Sequence, residues 1–221
     1  MQQPSIPKWI WAGLGAGVAL ILAAAAALWT LGGAAGRSET LPVLAAMPDF
    51  RLTDQEGKAV AAADVKGKVT LVGFIYTSCT DICPVVTAQM RNLQDELRAA
   101  GLLGEVRLLS ISVDPEVDTP QRLADYARQF QADTATWRFL TGEPGHVHKV
   151  VVEGFLVGAQ KIPAAGHGSH GSQGTTTDYR VEHSGRIALV DRSGQIRAYY
   201  EGTGLNIDEV VNQARILTQG R

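Results

Sequence analysis

The spacing of hydrophobic and polar positions changes several times along the chain, and each change marks an element. From Trp9 to Ala35 there is no period at all: the run is apolar or small, with no charge until Arg37. Roughly 20 apolar residues in a helix cross a hydrocarbon core, so this stretch predicts a membrane span. A cleaved secretory signal, with an apolar region of about 7–15 residues, fits less well, although the small residues of "LGGAAG" allow cleavage. A buried core helix would show a polar stripe, and none interrupts the run.

After a short linker the patterns become those of a globular domain. Phe50 to Thr53 and Lys58 to Val60 flank "DQEG", a hairpin signal. "KVTLVGFIY" is a continuous β-branched and aromatic run, expected of a strand buried on both faces. Ile82, Val86, Met90, Leu93 and Leu97 then recur at helical spacing, with Asp81 as N-cap, Pro84 in the first turn and Gly101 as the stop. "EVRLLSISVD" predicts a second buried strand. "DTPQRLADYARQF" predicts a helix capped by Asp118 or Thr119. "TWRFLTG" reads as a short strand, followed by a helix from about Glu143 to Phe155.

The stretch "AAGHGSHGSQGTTTDY" has no hydrophobic period and predicts a mobile loop. "GRIALVDRSGQIRAYYEG" predicts a hairpin, and "NIDEVVNQARILTQ" a closing helix capped by Asn206. Strands alternating with helices argue for an α/β fold: a thioredoxin-like mixed sheet flanked by helices, with an antiparallel hairpin at one end and an N-terminal transmembrane helix.

The 221 residues therefore divide into an anchor over 1–36, a linker over 37–48 and one domain over 49–221, large enough for a real core. A formal net charge of −2 provides no basic footprint for nucleic acid. Lys8 and the terminal amine precede the span and Arg37 follows it, which predicts a single-pass inner-membrane protein with its soluble domain on the periplasmic side. Trp9, Trp11 and Trp29 suit the two interfacial belts.

The only two cysteines, Cys79 and Cys83, stand four apart where the first buried strand passes into a helix. Positions so spaced on a helix lie about 6 Å apart, within the range a disulfide spans. A helix N-terminus favours thiolates, the form that attacks disulfides and binds metals. Soft thiolates with an added imidazole suit copper, whereas structural zinc requires four closed ligands. Three readings stay open on this basis: metal ligands, a redox couple, or one inert disulfide in an exported domain. A thiol peroxidase is disfavoured, because "TSCTDICP" sets no arginine beside the nucleophile.

Of the histidines, His183 precedes a buried strand, in the loop that would face the cysteines in a thioredoxin-like sheet. His146 and His148, two apart on a helix, point in different directions and read as solvated or partly packed. His167 and His170 belong to the glycine-rich loop and read as surface residues without metal.

"YTSCTDICP" (residues 76–84) resembles the CxxxCP signature of the Sco/SenC family of copper-binding thioredoxin-like proteins. "SISVDPEVDTPQRLADYARQF", "WRFLTG" and "YRVEHSGRIALVDRSG" agree in order, so the resemblance runs from about Phe50 to Tyr200. It implies a copper site, Cu(I) or Cu(II), made by Cys79, Cys83 and His183. It also implies a metallochaperone that delivers copper to the CuA centre of cytochrome c oxidase subunit II after receiving it from a donor chaperone. The alternative is a thiol–disulfide oxidoreductase in which Cys79 and Cys83 keep the CuA-site cysteines reduced. Asp114 is a candidate supporting residue, although organising the turn before the helix accounts for it better.

Overall fold

Val69–Ile75 forms β4, a strand buried at every residue near the middle of the sheet. The computed structural model describes residues 41–163, 179–183 and 185–220, with side chains given up to residue 159 and again from 185. The expected span over 9–35, the start of the linker, and His167 and His170 lie outside the described residues. No helix among those described is long and apolar enough to cross a membrane.

The first strands are β1 (Ala45–Ala46), β2 (Arg51–Asp54) and β3 (Ala59–Ala61). Helix α1 (Ile82–Ala99) follows β4, then β5 (Val106–Ser112), α2 (Pro120–Gln129) and β6 (Trp137–Thr141). The short α3 (Pro144–His148) runs on as a π-type segment over Lys149–Gly154. After it come β7 (Ala159–Pro163), β8 (Tyr179–His183), β9 (Arg186–Val190), β10 (Gln195–Glu201) and α4 (Ile207–Thr218). Among the described residues eight strands make one mixed sheet in the order β1-β10-β9-β4-β5-β6-β2-β3, and β7 and β8 pair with each other in a second, two-stranded one. β4, β5 and β6 are parallel, and β9 runs antiparallel to β4 on its other side. Helices α1 and α4 pack together and on β4, while α2 packs on β6. This is the expected α/β arrangement, flanked by helices.

The helices begin and end where their capping chemistry dictates. Thr119 accepts the Arg122 N–H at 3.3 Å and Asn206 accepts the Glu209 N–H at 3.2 Å, each satisfying a first-turn amide. Helix α1 gives way at Gly101, whose φ of 71° is a left-handed conformation that side chains resist. The buried stripe of α1 is Cys83, Val86, Met90, Leu93 and Leu97, with Ile82 only half-buried. A cysteine thus takes the core-facing place of the first turn. Burying each large apolar side chain contributes roughly 1.5–3 kcal/mol. Phe155, after the π-type segment, meets Phe74 of β4 edge-on, with ring centroids 5.3 Å apart.

Two features differ from the sequence expectations. Within the stretch read as a linker, Ala45–Ala46 pairs with β10, and Leu44 and Met47 donate to the Ile196 and Gly194 carbonyls at 2.8 Å. His183 was expected in a loop; it ends strand β8 instead, opposite Ala159 of β7. The residues that would close this ribbon, 164–178, carry no two-residue turn signal, so the pairing of β7 with β8 has no local signature.

Candidate metal centre

Parallel pairing brings the carboxyl ends of β4 and β5 together, since Ile75 is in register with Ser112 and the Val113 N–H donates to the Ile75 carbonyl at 2.8 Å. The order of connections reverses at β4, the place where open α/β sheets bind ligands. Two loops meet there: Tyr76–Asp81, which carries the first cysteine, and Val113–Thr119. Because β9 is antiparallel, with Ile187 opposite Gly73, the chain entering it arrives at the same end.

Cys79 and Cys83 are both buried, at 8% and 0% exposure, and no disulfide joins them. The Cys79 N–H donates to the Tyr76 carbonyl at 3.2 Å, which tightens the loop. Asp81 occupies the N-cap position, but its side chain makes no capping bond. The Cys79 sulfur accepts the Cys83 N–H instead, at 3.4 Å. The open amide end of α1 therefore faces sulfur, and this electropositive setting favours negative charge on it. Cys83 behaves differently. Its thiol is held far above its ordinary value, first by the hydrogen bond with the Cys79 sulfur and then by burial, against the opposing pull of the Tyr76 amide. Ionising both sulfurs is costly unless a cation arrives to share the charge.

A polar network backs the pair. Both oxygens of Asp118, a fully buried residue, accept the Thr77 N–H at 3.1 Å. The Thr77 hydroxyl donates to Asp118 Oδ1 at 2.5 Å and the Ser112 hydroxyl to Oδ2 at 2.6 Å. Burial nevertheless keeps the Asp118 carboxyl above its ordinary range. On the helix side, Thr87 donates to the Cys83 carbonyl at 2.8 Å, which leaves the Tyr126 hydroxyl to donate to Thr87 Oγ1 at 2.9 Å. Burial pushes the Tyr126 phenol upward as well.

The histidine side is set by two glycines. A Cβ on Gly185, two residues after His183, would sit 2.5 Å from Ile82 Cδ1 and 3.1 Å from Val86 Cγ2. A Cβ on Gly202 would sit 2.5 Å from the Gly185 carbonyl oxygen and 2.9 Å from Val86 Cγ2, and the Gly202 N–H donates to that carbonyl at 2.8 Å. The backbone leaving β8 is thereby seated against the first turn of α1, which carries Cys83. The imidazole of His183 lies outside the described side chains.

Asp114 is buried, and its backbone carbonyl accepts the Val117 and Asp118 N–H groups at 3.1 and 2.9 Å. His146 Nε2 accepts the Arg51 N–H at 3.3 Å, while His148 is exposed. The sequence reading had Asp118 only as a candidate helix cap. Thr119 takes that role, which leaves the Asp118 carboxylate for the cysteine loop. Thr77, Thr87 and Tyr126 had no signal of their own, because their contacts join residues 39 or 41 positions apart. Two sulfurs at a helix mouth, the first accepting an open amide of the helix, suit a soft cation or a two-electron exchange with another disulfide.

A thioredoxin-like sheet with a CxxxC pair at the mouth of its first long helix defines a class of thiol proteins that handle metal or disulfides. Within that class, residues 39–219 match the SCO1/SenC family, and the chain belongs to it. It is 36% identical over 168 residues to the SCO1 protein homolog of Bacillus subtilis, covering 75% of this chain and 79% of the relative. Bradyrhizobium japonicum ScoI, solved with copper bound, shares 32% identity at a TM-score of 0.64, over 78% of this chain and 99% of that one. BsSco, described as a member of the Sco family of cytochrome c oxidase assembly proteins with a disulfide switch, shares 26% identity at a TM-score of 0.65, over 83% of this chain and 99% of that one.

Proposed function

We propose that this protein is a membrane-anchored copper metallochaperone that holds copper through Cys79, Cys83 and His183 and delivers it to the CuA centre of cytochrome c oxidase. The observation that carries this reading is the sulfur pair at the mouth of α1, with the Cys79 sulfur of the loop on the Cys83 amide at 3.4 Å and the chain after His183 seated against the first turn of the helix. Thiolates with one imidazole match the preferences of copper, and the three ligands proposed fall short of the four that a closed zinc site takes. The copper-bound relative supports the choice of metal. Copper is cargo here: three protein ligands leave room for an acceptor's ligand to enter before a donor ligand leaves. A copper-donating chaperone loads the site, cytochrome c oxidase subunit II receives the metal, and the apolar stretch over 9–35 anchors the domain on the periplasmic face of the inner membrane.

A Cu(I) competition titration of the reduced full chain in detergent tests this. One copper per chain is expected, with binding lost in Cys79→Ser or Cys83→Ser and weakened more than ~100-fold in His183→Ala, beyond the effect typical of outer-shell changes. Binding indifferent to His183 would remove the imidazole from the ligand set.

The second reading, a reductase for the CuA-site cysteines, draws on the unequal burial of the two sulfurs and on the disulfide switch of the relative. Cys79 as thiolate would attack a partner disulfide and release one partner thiolate. Cys83 would then attack the mixed disulfide and free the second partner thiol, so that two electrons pass to the partner. Cys83→Ser would accumulate the mixed disulfide under this reading and would not under the first.

A further inference from the structure

Asp118 is fully buried, yet the groups facing its carboxylate are hydroxyls and an amide, with no lysine or arginine among those that shift it. Burying a carboxylate without a counter-cation is costly, and hydroxyl and amide donors recover only part of that cost. An apolar side chain packed in the same place would serve stability as well, so a carboxyl group here points to a local requirement.

Three of the carboxylate's four hydrogen bonds come from one residue, Thr77, two positions before Cys79. Tyr76, the residue before Thr77, acts on both cysteines through its backbone. The Tyr76 carbonyl accepts the Cys79 N–H at 3.2 Å, and the Tyr76 amide is the backbone donor that acts on the Cys83 thiol. The fourth bond, from Ser112 at 2.6 Å, fixes the carboxylate to the end of β5, so the loop is referenced to the rigid sheet.

We propose that Asp118 is the positioning residue of the cysteine loop, clamping Thr77 so that the Cys79 and Cys83 sulfurs stay in register for whatever they bind or bridge. The copper half of this rests on the function proposed above; the disulfide half does not.

The test uses the full chain with Asp118→Asn, Thr77→Val, their combination, and Ser110→Ala. Ser110 accepts a buried hydrogen bond from Trp137 at 3.0 Å on the same strand, away from the loop, and serves as the control. Two readouts are taken on each protein: Cu(I) affinity by competition, and the equilibrium in which two glutathione thiols reduce the Cys79–Cys83 disulfide to the dithiol with formation of one glutathione disulfide. Each loop variant is expected to weaken Cu(I) binding by ~10-fold, as outer-shell changes do. Each should also shift the glutathione equilibrium ~10-fold toward the dithiol, about 30 mV, because a loosened pair closes its disulfide less readily. The combined variant should add little to either, since both changes break one clamp. Ser110→Ala should lower the melting temperature and leave both readings at parental values.

The proposal is overturned if the loop variants change only the melting temperature. It is equally overturned if Asp118→Asn acts while Thr77→Val does not, which would assign the effect to charge and not to position. Should Asp118→Asn fail to fold, Thr77→Val carries the test alone. A parental chain that binds no copper would defeat the proposed function, and the glutathione equilibrium would still decide the role of Asp118.

Discussion

The cysteine loop and strand β8 arrive at one end of the molecule, but they are built on different foundations. The loop leaves an inner strand buried along its whole length and enters an 18-residue helix; a carboxylate clamps it on one side and a Thr87–Tyr126 pair on the other. β8 belongs to a two-stranded ribbon that does not join the eight-stranded sheet among the described residues, and the chain after it is seated by Gly185 on Ile82 and Val86. A lone two-stranded hairpin is marginally stable in water. If copper is held as proposed, two of its ligands would rest on the core and one on an appendage, so that ligand exchange would move the ribbon and leave the core intact.

Amide hydrogen exchange on the full chain gives the largest expected contrast. Amides of β4 and the buried turns of α1 should exchange only through global opening, and those pairing β7 with β8 through a local one. The gap should approach the total stability, on the order of 5 kcal/mol or more. Equal protection of the ribbon and of β4 would erase the comparison.

The next largest effect is expected where the two halves touch. Gly202→Ala places a Cβ 2.5 Å from the Gly185 carbonyl oxygen, so the chain leaving β8 must shift. A loss of about 1–3 kcal/mol is expected, as for overpacking elsewhere. Copper affinity should fall in parallel, while the Cys79–Cys83 disulfide equilibrium stays near its parental value. A change confined to the disulfide would show that Gly202 acts on the cysteines and not on the histidine strand.

The smallest effect concerns the turn between β9 and β10. Burial pulls the Asp191 carboxyl upward, but Ser193, Gln195 and Arg197 donate to it and together hold it below its ordinary 3.8. A lowered carboxylate stabilises the fold above its unfolded value and loses that contribution as pH falls through the folded one. Asp191→Asn should therefore cost about 1 kcal/mol near neutral pH. The difference from the parent should shrink below about pH 4 in urea melts, as the unfolded carboxyl and then the folded one take up protons. A constant difference down to pH 2 would mean that charge plays no part. Unchanged Cu(I) affinity would confirm that this turn belongs to the scaffold alone.

Most of the large elements were readable before any coordinates. β4 is a continuous β-branched and aromatic run, β5 reads as a second buried strand, α1, α2 and α4 read as helices with caps at Thr119 and Asn206, and the CxxxC pair stands at a strand-to-helix junction. What escaped were pairings without local signals. β7 with β8 spans the region 164–178, and β1 is two alanines that become a strand only because β10 offers its edge.

The site divides the same way. Residue type and spacing determined that Cys79 and Cys83 stand four apart at a strand-to-helix junction, the first just before α1 and the second in its first turn, since that relation is local. Only the tertiary structure decided that Cys83 is sealed in the core, that Asp118 abandons the helix cap for Thr77, and that two glycines seat the histidine strand on the cysteine helix. Those relations join residues 41 positions or more apart, and they follow from packing distances and the desolvation of polar groups, which no local pattern encodes.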